Sequence, residues 1–100
     1  MLRITILETP SEQKWVLQGR LIGPWASELK ASWKGHDDAN GRARVVDLRE
    51  VTFIDASGEK VLMRMMQDNA QFIVGGVYAT HVVENLWARC KSRTRASNLR

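Results

Sequence analysis

The chain of 100 residues has a single cysteine, Cys90, so no disulfide can close within it. A reducing compartment, the cytoplasm, is the expected setting. Prolines are scarce: Pro10 and Pro24 are the only two, and neither interrupts a periodic apolar segment. No stretch approaches the roughly 20 consecutive apolar residues that a bilayer-crossing helix needs, so no membrane insertion is expected. The opening Met1-Leu2-Arg3-Ile4-Thr5-Ile6-Leu7-Glu8 lacks the apolar core and cleavage site of a signal peptide. Histidine is equally sparse. Neither His36 nor His81 has a carboxylate and a second histidine at ligand spacing, and no metal site is expected. Gly75-Gly76 lacks the longer glycine pattern of a nucleotide loop, reads as a tight turn, and gives no reason to expect a cofactor.

What is present is an ordinary globular composition, 44% hydrophobic and 26% charged, in a length that suits one domain. The net charge of +4 is unevenly placed. Residues 89–100 hold Arg89, Lys91, Arg93, Arg95 and Arg100 and no acid, whereas the first 88 residues hold 10 bases and 11 acids. The expected division is thus a folded unit over residues 1–88 and a basic tail over residues 89–100. A solvated terminus is the simplest reading of such a tail. No nucleic-acid partner is expected, because the tail lacks interleaved aromatic residues for stacking on bases.

Hydrophobic periodicity gives the elements. Leu2, Ile4 and Ile6 alternate with Arg3 and Thr5 as a strand, Glu8–Glu12 supply a turn, and Trp15–Leu21 read as a second strand in a hairpin with the first. Gly23-Pro24 opens a helix whose inner face carries Trp25, Leu29 and Trp33. Residues 35–41 form a polar loop. Ala43–Leu48 is a third strand, followed by a polar break and the apolar Val51, Phe53 and Ile54. A helix from Gly58 presents Val61, Leu62, Met65 and Met66. Gln71–Val74 is a fourth strand, parallel to the third, and a last helix carries Ala79, Val82, Val83, Leu86, Trp87 and Cys90 on one stripe. The order is β-β-α-β-α-β-α, an α/β fold with a small mixed four-stranded sheet carrying helices.

The informative segment runs from Val45 to Leu62. A buried strand leads to Asp55-Ala56-Ser57-Gly58, whose three small residues Ala56, Ser57 and Gly58 leave a helix N-terminus uncrowded. Free N–H groups and the positive dipole end favour an anion there. Ser57 reads either as the helix N-cap or as a hydroxyl open to a partner. Asp55 reads either as a turn-former bonding its own backbone or as a recognition residue. Asp47 points to solvent or pins a loop. With no histidine placed to activate Ser57, the chain is read as non-enzymatic, without catalytic residues.

Asp47-Leu48, then Val51-Thr52-Phe53-Ile54-Asp55-Ala56-Ser57-Gly58, resembles the hallmark of the STAS domains (sulphate transporter and anti-sigma-factor antagonist). Leu17-Gln18-Gly19-Arg20-Leu21 is similar to the family's second strand, and the element order agrees over residues 2–88. The resemblance implies a single STAS-like domain that binds a protein partner, a serine kinase acting also as anti-sigma factor. Ser57 is then the phosphoacceptor and Asp55 a recognition residue, in a binding surface of Gly23, Trp25, Asp55, Ala56, Ser57, Gly58, Glu59 and Lys60. Glu59-Lys60 stand where the family usually has apolar and small residues, and Ile22 where many antagonists carry an aspartate. The alternative implied by the same family is a constitutive subunit of a bacterial phospholipid-transport complex, docked on its ABC-type ATPase. Sheet edges and tryptophans leave room for a homodimer.

Overall fold

The computed structural model of the chain describes residues 2–36 and 42–98, with residues 91–98 as backbone alone. Most of the expected polar loop, residues 37–41, lies outside the described residues. The elements are β1 (Leu2–Glu8), β2 (Glu12–Leu21), α1 (Gly23–Gly35), β3 (Ala43–Ile54), α2 (Ala56–Gln67), β4 (Gln71–Ile73) and α3 (Val77–Asn98). They form one four-stranded sheet in the order β1-β2-β3-β4. β1 and β2 pair antiparallel from Leu2↔Gly19 to Glu8↔Gln13, while β2, β3 and β4 run parallel. The expected α/β architecture and element order are therefore present.

Alternation dictates which strand residues meet the helices. Gln13, Trp15 and Leu17 of β2 are buried, and the intervening Lys14, Val16 and Gln18 are half-buried. On the helices the 3.6-residue period does the same work. Ala26, Leu29 and Trp33 of α1 join Val61, Leu62, Met65 and Met66 of α2 and Leu86 and Cys90 of α3 in the core. Each such leucine removed from water contributes about 1.5–3 kcal/mol before the entropy of ordering it is counted. Trp87 departs from the expected stripe. It lies half-exposed at 50%, because the α3 face that enters the core is set by Ala79, Leu86 and Cys90. The α3 backbone also runs past residue 88 to Asn98, across the expected boundary between folded unit and basic tail.

The third strand is longer than the sequence suggests. The polar pair Arg49-Glu50 does not end it, and β3 continues to Ile54. Two register shifts against β2, after Val16↔Asp47 and after Gly19↔Val51, absorb the extra residues. Such bulges leave the extra residues unpaired and bend the strand, and the ladder resumes beyond them. The fourth strand is correspondingly shorter, three residues, so Ile54 lies beyond its reach. There the Tyr78 hydroxyl takes over: it accepts from the Ile54 amide at 2.9 Å and donates to the Ile54 carbonyl at 3.2 Å.

Two buried polar arrangements fix the sheet. Asp47 is nearly enclosed, and its carboxylate accepts from the backbone N–H, Nε and Nη2 of Arg49, the last at 2.8 Å. It therefore holds the bulge inside β3, and neither points to solvent nor pins a loop. Near the opposite end of α1, the Arg44 guanidinium lies 3.5 Å from the centroid of a Trp33 ring and donates to the Gln13 Oε1 and the Trp33 carbonyl. Trp15 donates to the same Gln13 oxygen at 2.9 Å, and Trp33 donates to Asp68 at 2.8 Å. A buried cation over an indole face is worth more than an exposed one, since neither is hydrated.

Candidate protein-docking site

The site is assembled where β2 and β3 hand over to α1 and α2. The Asp55 amide donates to the Leu21 carbonyl at 3.2 Å, which sets the ends of the two strands side by side. Asp55 is the N-cap of α2, in extended backbone geometry. Its Oδ1 accepts from the Gly58 amide at 2.8 Å, and its Oδ2 accepts from the Gly23 amide at 3.0 Å. One carboxylate thus satisfies amides at the starts of both helices, positions that otherwise lack intrahelical partners. Gly23 has φ +43°, a conformation that glycine adopts without strain. Gly58 is required for a different reason. A Cβ there would collide with the Leu21 carbonyl oxygen and lie 2.9 Å from Leu21 Cγ and 3.0 Å from Ile54 Cγ2.

One of the two readings of the serine, the helix N-cap, does not hold. Asp55 caps the helix, so Ser57 does not. Ser57 is exposed in the first turn of α2, and its hydroxyl makes no hydrogen bond among the described residues. It stands at one end of an open groove between α1 and α2, of about 410 Å3, walled by Ala26, Ser27, Lys30, Ser57, Lys60, Val61, Met63, Arg64 and Gln67. The amides donating to Asp55, Gly58 first and Gly23 after it, hold its carboxyl below the usual aspartate value of 3.8. Asp55 is therefore an anion at neutral pH, with both oxygens committed to backbone.

Of the residues expected at the docking surface, Ser57 and Lys60 line the groove, whereas Asp55, Gly58 and Gly23 do not line it but are joined to one another at the starts of α1 and α2. Ala56 is exposed beside them. Glu59 is turned aside to Arg89 of α3, at 3.4 Å. Trp25 is half-buried, packs against the core and does not wall the groove. Ser27, Lys30, Arg64 and Gln67 were not singled out in the sequence. The signal existed in part, because 57, 60, 64 and 67 recur at helical spacing and define one stripe of α2. The α1 side of the groove has no comparable marker.

No protein-family model matches the chain, and no curated protein matches it in sequence. Solved structures do match. The anti-sigma factor antagonist SpoIIAA in its unphosphorylated form superposes with a TM-score of 0.64 at 13% identity, over 82% of this chain and 82% of that one. The STAS domain of an antisigma-factor antagonist from Rhodobacter sphaeroides gives 0.57 at 15% identity, over 75% of this chain and 86% of that one. The chain has the STAS fold. A crystal structure of Mglu shares part of it, with a TM-score of 0.57 at 18% identity over 73% of this chain but 19% of that chain. At these identities the likeness is one of fold. In this STAS fold, the turn that carries Ser57 follows β3, one of the two inner strands of the sheet, and opens α2. No group of three or more histidine, cysteine, aspartate or glutamate side chains that could hold a metal occurs among the described residues. No helix among them is long and apolar enough to cross a membrane.

Proposed function

We propose that the chain is a non-enzymatic, anti-sigma-factor antagonist-like regulator that docks a protein partner on its α1–α2 groove and is switched by phosphorylation of Ser57. The observation that carries this reading is the state of Ser57. It is exposed, its hydroxyl has no hydrogen bond among the described residues, and it lines the groove while Asp55 caps the helix. A partner serine kinase would bring ATP and the catalytic base. The Ser57 Oγ attacks the γ-phosphorus, the bond to the bridging oxygen breaks, ADP leaves and the base takes the hydroxyl proton. The phosphoserine places about −1.5 to −2 charges in the docking surface, enough to end binding by desolvation and repulsion. The STAS fold shared with two anti-sigma-factor antagonists supports the class of partner.

The direct test is incubation with candidate serine kinases from the source organism and ATP, followed by intact-mass and peptide analysis. Phosphate on Ser57, and lost binding of the kinase by Ser57→Asp, is the expected result. No incorporation with any of them, together with unchanged binding by Ser57→Asp, sinks the switch. Full function of Ser57→Ala in the cell would instead favour a constitutive docking subunit, such as one held on an ABC-type ATPase.

A further inference from the structure

We infer that the α1–α2 groove takes an acidic segment of the partner protein, whose carboxylates lie against Lys30, Lys60 and Arg64. The inference rests on reading this groove as the docking surface and adds the chemistry of what docks there. Three cations wall the groove and no acid does. Lys30 and Lys60 are exposed and form no ion pair among the described residues. Glu28, on α1 like Lys30, is exposed but does not wall the groove. The acids of α2 and its two caps are occupied elsewhere. Glu59 reaches Arg89, Asp55 is bound to two amides, and Asp68 accepts the Trp33 indole N–H as well as the Arg64 guanidinium at 3.5 Å. Arg64 is thus paired with Asp68, while the charges of Lys30 and Lys60 are offset by no ion pair among the described residues.

Shape narrows the occupant. Ser57, Lys60, Arg64 and Gln67 lie along one face of α2, a stripe about 15 Å long at 1.5 Å per residue. Ala26, Val61 and Met63 supply apolar wall between the charges. A single small anion would engage one end and leave this length empty, whereas a segment of chain with acidic and apolar residues fills it. A lipid surface would meet only the rim of such a concavity. Charge complementarity of this kind also steers association and sets its salt dependence. It gives the phosphate a concrete effect too. Phosphoserine at position 57 would bring its own negative charge into the groove and compete for Lys60, one turn along the same helix.

The test uses the full, unphosphorylated chain and a synthetic 14-residue helical peptide bearing glutamates at i, i+4 and i+7 between leucines and alanines. The controls are the same peptide with glutamine at those positions and inorganic phosphate alone. In 15N-resolved NMR titrations the acidic peptide is expected to shift the amides of Ser27, Lys30, Ser57, Lys60, Arg64 and Gln67, and glutamine to abolish this. Lys30→Glu/Lys60→Glu should weaken binding about tenfold or more, the scale of two reversed exposed charge pairs. Equal shifts with the glutamine peptide, shifts confined to another face, or equal shifts with phosphate alone would each overturn the inference. Failure is separable from failure of the phosphoswitch, because no kinase is present. A groove that binds the acidic peptide but a Ser57 that never accepts phosphate removes only the switch, and the converse removes only the acidic occupant.

Discussion

The Oδ2 of Asp55 accepts a hydrogen bond from the Gly23 amide at 3.0 Å, across 32 residues of chain. This contact ties the start of α1 to the start of α2, the two helices that wall the groove. Asp55 is therefore a structural residue as well as a feature of a recognisable motif, and its ionisation is linked to folding. Its folded carboxyl lies below the ordinary 3.8, chiefly because of the Gly58 amide. The charged form is the one the fold prefers, so the stabilisation is complete above the unfolded pKa and is lost as pH falls through the folded one. Asp55→Asn should have a lower urea midpoint than the parent at neutral pH. The gap should hold down to about pH 5 and close below about pH 4. A gap that is unchanged in acid would show that the carboxylate charge contributes nothing.

Asp47 obeys the same sign through different partners. The Arg49 side chain lowers its pKa most, with the charge of Lys14 at 3.9 Å adding to it. Arg49→Gln should therefore raise the Asp47 pKa, measured by NMR titration of its carboxyl carbon, and move the acid unfolding midpoint upward. An unmoved Asp47 titration would mean that the half-exposed Arg49 side chain does not hold it in solution.

Gly58 and Gly35 give opposite predictions for one substitution. Alanine in a helix gains up to about 1 kcal/mol over glycine. At Gly58 that gain is overwhelmed, because the Cβ meets Leu21 backbone and the Ile54 side chain. Gly58→Ala should lose about 1–3 kcal/mol in urea unfolding. At Gly35 no atom of the described residues lies within 4 Å of an added Cβ, and Gly35→Ala should be neutral or stabilising. Equal effects at the two sites would refute the close approach of α2 to β2.

Asp68 is the acceptor for a buried donor. The Trp33 side chain is almost fully enclosed, and its indole N–H points at Asp68 Oδ2. Removing that acceptor strands the donor, and Asp68→Ala should cost about 2 kcal/mol. Asp68→Asn keeps an acceptor oxygen and should recover much of the loss.

How much of this was legible in the sequence depends on the distance over which each feature is built. Leu2, Ile4 and Ile6 alternate with polar residues and announce β1. The spacing of Val61, Leu62, Met65 and Met66 announces the inner face of α2. Short-range periodicity suffices for these because a strand or helix repeats its own geometry. Arg49-Glu50 misled, since two exposed polar residues look like a chain break but can also ride on a bulge. The groove was half-visible. Ser57 and Lys60 lie beside a motif, whereas Ser27 and Lys30 join them only through the packing of α1 on α2. Likewise, nothing local links Arg44 to Trp33 or Asp55 to Gly23, whose pairing follows from the sheet order.

Ser57 separates a structural serine from a functional one. If it capped α2, Ser57→Ala would cost about 1 kcal/mol. The cap is Asp55, and the Ser57 hydroxyl is unbonded among the described residues. Ser57→Ala should therefore change stability by no more than about 0.5 kcal/mol, as expected for a surface site. Ser57→Asp should be slightly stabilising, by about 0.3–1 kcal/mol, because an anion in the first turn meets the positive end of the helix. Lys60, one turn further on, adds to the same sign. Paired urea titrations of the three proteins at low and high salt decide the matter, since the aspartate gain should shrink as salt screens it. A stable Ser57→Ala that loses its partner or its phosphate would assign Ser57 to function, because the fold would have been left intact. A Ser57→Ala destabilised by about 1 kcal/mol would return the serine to the role of helix cap and remove the observation on which the switch rests.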